Sequence, residues 1–270
     1  LAAASAALYY YDNTRIKDGS MNKLLLAPIA ASCLALSACG YSVFDAVDDV
    51  RGATKSELDD ANPITAQAAT VAAFDELGAL GPDRVVFTTG DSFSIRADAP
   101  ADLLSHLRYQ LKDGHLLVGR DSYRWDGKDK ATIYVTGASL KALNGMGSGM
   151  IEVDAMRVPG VEINNAGSGT IRVADVQTSQ LEVSMAGSGN IILAGRAASS
   201  DISIAGSGNV DASKLMSDSN DVSIAGSGDV TLRSDGRVEA SIMGSGDVTV
   251  LGTAECDLSS MGSGKLNCGG

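Results

Sequence analysis

Residues 186–212 have the sequence AGSGNIILAGRAASSDISIAGSGNVDA, in which one Gly-Ser-Gly triplet is followed 19 residues later by another. The chain contains seven such triplets, at spacings of 20, 20, 19, 20, 18 and 18 residues. A near-constant period of this length is typical of an array in which each repeat stacks on the next. The glycines of the seven triplets are Gly147, Gly149, Gly167, Gly169, Gly187, Gly189, Gly206, Gly208, Gly226, Gly228, Gly244, Gly246, Gly262 and Gly264.

The residues around each triplet alternate between apolar and polar. After Gly189 the apolar residues are Ile191 and Leu193, and Ile202 precedes the next triplet by four residues. A period of two predicts β-strands with one buried face, joined by a tight glycine corner. One 20-residue unit cannot bury its apolar face alone, so the units must stack in register. The pattern therefore predicts an all-β fold, a parallel β-helix of about seven coils over residues 141–270, and a flexible linker would not carry such aligned columns.

The N-terminal part has the organisation of an exported protein. We expect residues 1–20 to be an extension from a misassigned start, because Met21 opens a short basic and then apolar segment over residues 21–38. This segment ends in Leu36-Ser37-Ala38-Cys39, which resembles the lipobox of bacterial lipoproteins. The resemblance implies cleavage before Cys39 and lipid attachment to its thiol, with Gly40 favouring the outer membrane. The alternative is an ordinary signal peptide with an incidental cysteine.

Two further segments connect this signal to the repeats. Residues 39–70 are rich in acidic and small residues and predict a tether between the lipid and the folded part. Residues 71–140 form a β-rich region that leads into the solenoid, with one hairpin expected around Thr89-Gly90-Asp91 and another around Asp113-Gly114. The net charge of −12 argues against a nucleic-acid partner.

The motifs of this region and the repeats follow the pattern of a known family. Val85-Val86-Phe87-Thr88-Thr89-Gly90-Asp91, Lys112-Asp113-Gly114 and Ile133-Tyr134-Val135-Thr136 occur in order before the serial Gly-Ser-Gly-Asn/Asp-Val units. From about Val71 to Gly270 the chain resembles the putative auto-transporter adhesin, head GIN domain family of bacterial surface and periplasmic lipoproteins. The resemblance implies a right-handed parallel β-helix with a β-rich N-terminal region. The adhesin label of the family is itself a conjecture, so the resemblance supports the fold more strongly than it supports a function.

The body of the solenoid offers little catalytic chemistry. From Lys141 to Gly270 there is no His, Phe, Trp or Tyr, so no imidazole is available for acid–base or metal work and no ring for stacking on sugars. The stacked Asp229 and Asp247 raise the alternative of a cation site, but one carboxylate in each 20-residue repeat favours a polar ladder. We therefore expect no metal, no cofactor and no enzymatic activity. A polysaccharide-processing enzyme would need outward acids and bases such as Glu152, Glu162 and Arg172 to converge.

Two pairs of residues stand out beyond the repeats. Tyr123 and Trp125 lie in a polar loop, where they would either contact a glycan or protein partner or cover the open end of the solenoid. Cys256 and Cys268 occupy inward registers on either side of the last corner, which predicts a disulfide in an exported protein; two buried free thiols are the alternative.

These features together predict a lipid-anchored β-helix of the cell envelope, outer-membrane-anchored and facing the periplasm or the exterior, with a structural or adhesive role. Its expected partners are the membrane, through the anchor, and an unidentified surface glycan or protein. The alternatives are a periplasmic carbohydrate-binding module and, less favoured, a polysaccharide-processing enzyme. The sequence leaves the oligomeric state open.

Overall fold

The computed structural model describes residues 58–122 and 129–269, which lie in one compact unit, Ser42–Gly270. The N-terminal region has eight strands and one short helix: β1 (Asn62–Pro63), β2 (Ala69–Thr70), β3 (Glu76–Gly81), β4 (Arg84–Thr89), β5 (Ser94–Asp98), α1 (Ala101–Leu104), β6 (Leu107–Lys112), β7 (His115–Arg120) and β8 (Thr132–Gly137). The solenoid has ten strands: β9 (Ala142–Gly147), β10 (Met150–Val153), β11 (Gly160–Gly167), β12 (Thr170–Gly187), β13 (Asn190–Gly206), β14 (Asn209–Gly226), β15 (Val230–Gly244), β16 (Val248–Leu251), β17 (Glu255–Gly262) and β18 (Leu266–Cys268).

The repeats form the predicted β-solenoid, with about six turns over residues 142–268. Each strand pairs in parallel with its equivalent in the next coil, and the corner glycines lie in register, as Gly187 does with Gly206. The expectation of about seven coils counted corners, and seven corners enclose six turns. Between the sheets the inward residues form columns, for example Val183, Ile202 and Val222, each at most 2% exposed. Burial of these aliphatic columns, at about 25 cal/mol per Å² of apolar surface, is the main stabilising contribution.

The solenoid pattern begins before the first Gly-Ser-Gly triplet. Strands β3 and β4 are joined by Gly81-Pro82-Asp83, and Gly81 lies in register with Gly147. Strand β3 pairs in parallel with both β7 and β9, and β4 pairs in parallel with both β8 and β10. The stacking order of these coils is therefore β7–β8, then β3–β4, then β9–β10, which differs from their order along the chain.

Of the two predicted hairpins, only one forms. Strands β6 and β7 pair antiparallel around Asp113-Gly114, where both residues have positive φ. The hairpin expected around Thr89-Gly90-Asp91 is wrong: β5 pairs antiparallel with β8, because the two edges of β4 are taken by β8 and β10.

The N-terminal end of the solenoid is covered. Antiparallel strands β5 and β6 lie beyond β8 and β7, and α1 with its flanking residues buries Leu103 and Leu107 completely. Leu58 and Ile64 are also buried, so the folded part extends into the segment that we expected to be a tether. A buried ion pair joins Arg120, at the end of β7, to Asp83, which precedes β4, through two hydrogen bonds of 2.6 and 2.7 Å.

None of the helices in the described ranges has the length and the apolar character required to cross a membrane. The predicted lipidation site Cys39 and the signal segment lie outside the described residues.

Candidate functional site

The corners form a continuous spine along the solenoid. In every coil the backbone N–H of the corner serine donates to the carbonyl of the first corner glycine of the preceding coil, as Ser207 does to Gly187 at 2.9 Å. The first glycine of each corner has φ between +130° and +141°, a conformation that other residues rarely adopt. The corner serines therefore serve as turn residues, and their hydroxyls have no base beside them.

The residues that follow the corners form a polar ladder. Asn209 accepts the backbone N–H of Asp229 through Oδ1, Asp229 accepts that of Asp247 at 2.9 Å, and Asp247 accepts that of Lys265 at 2.9 Å. Each carboxylate is thus used to satisfy a backbone donor of the next coil. Within residues 58–122 and 129–269, no group of three or more His, Cys, Asp or Glu side chains is arranged to hold a metal ion.

A second column on the outer surface consists of carboxylates alone. It lies on the sheet that precedes the corners, where each member pairs in register with the equivalent residue of the next coil, about 4.8 Å away. The alternation of the strands turns these residues outward, and in the first five members of the column the neighbours on both sides are buried. The column consists of Glu162, Glu182, Asp201, Asp221, Glu239 and Asp257.

The columns beside the carboxylates are made mostly of short side chains. The one nearer the corner holds Asn164 followed by five serines, and the next holds four alanines followed by two methionines. The carboxylates therefore project beyond their neighbours on a flat sheet face. We call this surface, the carboxylate column with the serine and alanine columns beside it, the acidic face.

The chain neutralises the carboxylate column at its C-terminal end and not in its middle. Arg237 contacts both Glu239 and Asp257, at 2.7 and 3.0 Å. Among the described residues, no cationic side chain lies within salt-bridge distance of Glu182, Asp201 or Asp221. Desolvation and the charges of neighbouring rungs raise the pKa of Glu182 and that of Asp201 above their ordinary values.

At the N-terminal end of the column lies a buried amide. Asn164 is only 6% exposed, and its Nδ2 donates to Glu162 at 2.6 Å and to Asn144 at 3.0 Å. Its Oδ1 is buried and has no hydrogen-bond partner among the described residues. An unsatisfied buried acceptor costs about 1–3 kcal/mol, so the face begins at a site that lacks a donor.

The other predicted sites fall in different places. Cys256 and Cys268 form the predicted disulfide, which joins the two sheets across the last coil. Tyr123 and Trp125 lie outside the described residues, so their role stays a prediction. Glu152 and Arg172, considered above for catalysis, face each other in register on the sheet that follows the corners, away from the carboxylate column.

This column was not predicted from the sequence, where Glu162 was considered only as an outward charge that would have to converge with others for catalysis. The signal was present: each of the six carboxylates stands five residues before the first glycine of a corner. In the first repeat that position is Ala142, which marks where the column ends.

Three comparisons relate the chain to known proteins. The family model described as putative auto-transporter adhesin, head GIN domain, matches residues 73–254. Among solved structures, a putative adhesin from Bacteroides fragilis has 20% identity and a TM-score of 0.69, covering 74% of this chain and 94% of that one. A putative adhesin from Parabacteroides distasonis has 18% identity and a TM-score of 0.59, covering 77% and 98% of the two chains. A putative lipid binding protein from the same species has 24% identity and a TM-score of 0.62, covering 74% and 94%. At these identities the structures establish a shared fold, and a comparison with curated proteins found no match.

Proposed function

The chain belongs to the putative auto-transporter adhesin, head GIN domain family, and on this basis we propose that it is a lipid-anchored β-helix of the cell envelope that binds a partner surface without catalysis. The family is named for adhesion, and a family of adhesins belongs at the envelope or the cell surface. Fold alone does not supply a function, so the proposal rests on the surface that the solenoid presents.

The observation that carries the proposal is the acidic face. It is flat, its columns are held in register by parallel pairing over five consecutive coils, and the columns beside the carboxylates consist mainly of serine and alanine. A surface of this kind suits contact with another extended surface, because little side-chain entropy is lost on binding. The charge of Glu182, Asp201 and Asp221 favours a partner that carries ammonium or guanidinium groups.

The lipid anchor is the other part of the proposal. The four residues that end at Cys39 support it. The disulfide Cys256–Cys268 supports export, which the anchor requires, since such bonds persist in oxidising compartments outside the cytoplasm. Mass spectrometry of the membrane-extracted protein tests the anchor. We expect a diacylglyceryl cysteine at position 39 as the N-terminus, and an unmodified N-terminus elsewhere would contradict it.

The binding role is tested with the unit Ser42–Gly270 on whole cells and on glycan and basic-protein arrays. We expect saturable retention with no released product, weakened by salt because exposed charges are screened over about 8–10 Å. Release of product would overturn the non-catalytic assignment. Retention lost in Trp125→Ala and kept in acidic-face variants would favour the loop that holds Trp125 and a carbohydrate-binding module.

A matched pair of triple variants locates the binding surface. Glu182→Gln, Asp201→Asn and Asp221→Asn together remove three charges from the middle of the acidic face. Asp218→Asn, Asp229→Asn and Asp247→Asn remove the same charge elsewhere, and amide oxygens can still accept the ladder bonds, as Asn209 does. We expect only the first triple to lose retention, and equal loss in both would mean that net charge rather than this face controls binding.

A further inference from the structure

The two ends of the solenoid differ in how their strands are covered. At the N-terminal end, antiparallel strands and buried leucines close the core, as described above. At the C-terminal end, β17 pairs along one edge with β15, and β18 pairs along one edge with β16. Among residues 58–122 and 129–269 none pairs with the other edge of either strand, so their outer N–H and C=O groups have no strand partner there.

Exposed apolar side chains concentrate at this C-terminal end. Four large apolar residues are exposed among the described residues, and three of them, Met243, Leu258 and Met261, lie in the last two coils. Leu258 occupies an inward register, in line with Ala240 and Val222, which are 3% and 2% exposed, yet it is 45% exposed itself. The apolar core of the solenoid is therefore open at this end.

Strand β17 has few of the features that usually protect an edge, and Glu255 and Asp257 are its only charged residues. Its eight residues, ECDLSSMG, contain no lysine and no proline, and β15 pairs with it without a bulge. Natural proteins block long exposed edges with such features because an open edge is a template for another strand. The disulfide Cys256–Cys268 holds this edge in place, so little ordering entropy would be lost when a strand is added.

We propose that β17 is the interface for a second copy of this chain, which adds its own β17 antiparallel about a two-fold axis. An antiparallel two-fold arrangement lets the same strand complete both edges and joins two solenoids end to end. The pairing must keep inward residues against inward residues, because a shift of one position would turn the core column to solvent. Only registers in which two even-numbered or two odd-numbered residues lie opposite each other meet this requirement.

Charge selects among these registers. A pairing centred on Asp257 would place the two Asp257 carboxylates directly opposite each other, which is destabilising. A pairing centred on Leu258 places the two Leu258 side chains together over the open core and sets Asp257 opposite Ser259 of the second copy. Arg237 already neutralises Asp257 within its own chain at 3.0 Å. In this register no like charges lie directly opposite each other, and the two exposed Leu258 side chains cover each other.

The expected strength follows from the size of the edge. Strands β17 and β18 offer 8 and 3 residues, fewer than the 20–30 residues per side of a standard interface. We therefore expect a dissociation constant on the order of micromolar, with a monomer–dimer equilibrium that depends on concentration.

The test is a crosslinking experiment on the full chain, in which Cys33 and Cys39 are replaced by serine and one new cysteine is introduced, so that it is the only thiol outside the disulfide. Ser259→Cys lies on β17 beside the proposed axis, and Ser223→Cys lies in the same outward column two coils away, exposed in the same way. A short bis-maleimide should produce a covalent dimer from Ser259→Cys and not from Ser223→Cys, with equal labelling of both by a monofunctional maleimide. Equal yields from the two variants, or dimer from neither, would overturn the proposal.

Sedimentation of the full chain gives a second readout that does not rely on chemical reaction. Leu258→Lys places a charge on the edge, and we expect it to weaken dimerisation at least tenfold. Met150→Lys makes the same kind of change at an exposed apolar residue in the first coil and should leave the equilibrium unchanged. An unmodified chain that remains monomeric up to about 100 µM, well above a micromolar constant, refutes the interface.

Discussion

The stacked corners predict that Gly206→Ala lowers the free energy of unfolding more than alanine at Gly81, Gly228 or Gly160 does. Gly206 has φ of +132°, and a Cβ there would lie 2.3 Å from the carbonyl oxygen of Gly187. Real Cβ atoms do not approach within 3.0 Å, so the coils would have to separate by about 0.7 Å. The same oxygen accepts the N–H of Ser207 at 2.9 Å, so the movement would also weaken that bond.

The magnitude can be built from these parts. A non-glycine residue in this backbone region costs about 1–3 kcal/mol. Loss of the corner hydrogen bond adds about 1 kcal/mol, and the reduced freedom of the unfolded chain returns about 0.4–1 kcal/mol. We expect a net loss of about 1–3.6 kcal/mol in the free energy of unfolding, with a central value of about 2 kcal/mol. For a domain of this size the central value corresponds to a fall in Tm of roughly 4–8 °C.

Three other glycines separate the two causes. At Gly81 φ is +110° and nothing lies near the added Cβ, so alanine there tests backbone strain alone. At Gly228 φ is outside the positive region but the Cβ would lie 2.3 Å from the oxygen of Gly208, which tests the contact alone. At Gly160 neither applies, and alanine should be neutral or slightly stabilising.

Urea unfolding followed by circular dichroism measures all four variants. We expect the order of destabilisation to be Gly206, then Gly81 and Gly228, then Gly160. If Gly206→Ala and Gly228→Ala fall within about 0.5 kcal/mol of Gly160→Ala, the range usual for harmless surface changes, then the spine does not constrain the coils as the geometry requires.

Two further predictions concern the last coil and the acidic face. Replacing Cys256 and Cys268 together by serine should destabilise the last coil by up to about 3 kcal/mol, because the disulfide restricts the unfolded chain by closing a loop. Hydrogen exchange should then show faster opening of β17 and little change in β12. Equal acceleration of exchange in both strands would contradict this local role. The pKa of Asp201 is raised, so between the ordinary carboxyl pKa of about 3.9 and the raised value the folded state binds more protons than the unfolded state. The contribution of Asp201 to the free energy of unfolding therefore falls as the pH rises between these two values. Asp201→Asn should therefore stabilise the protein at about pH 7 and lose that advantage at about pH 3, below both pKa values; a constant difference between melts at the two pH values would show that charge is not the cause.

The solenoid could be predicted from sequence because each residue has a fixed distance to its corner. Ile191, Ile202 and their equivalents stand at constant offsets from Gly-Ser-Gly, and parallel stacking converts a constant offset into a spatial column. The disulfide followed by the same logic, since both cysteines fall at inward offsets. Register, core and crosslink therefore come from one periodic signal.

The N-terminal region was less predictable because its stacking order departs from its chain order. Its corner, Gly81-Pro82-Asp83, has only one of the two glycines of the motif. The carboxylate of the buried Asp83 accepts hydrogen bonds from Arg120. The predicted hairpin failed for the same reason: local alternation identifies a strand but not the partner that takes its edges. Those partners, β8 and β10, come more than 40 residues later in the chain.

The carboxylate column lowers the stability of the solenoid, so its presence needs another explanation. In a solenoid every outward residue stacks on its own equivalent, so a charge repeated at one offset always faces like charges, at a cost. The column that begins with Glu152 and Arg172 avoids this cost by mixing opposite charges with neutral residues. The column through Glu182 and Asp201 accepts it in six consecutive coils, with Arg237 offsetting the charge only in the last two. Desolvation and the neighbouring carboxylates raise the pKa of both Glu182 and Asp201. Serine at the same offset would remove the repulsion without disturbing the sheet, as the adjacent serine column demonstrates. A repulsive column that the packing does not require therefore supports the proposal that the acidic face is a binding surface.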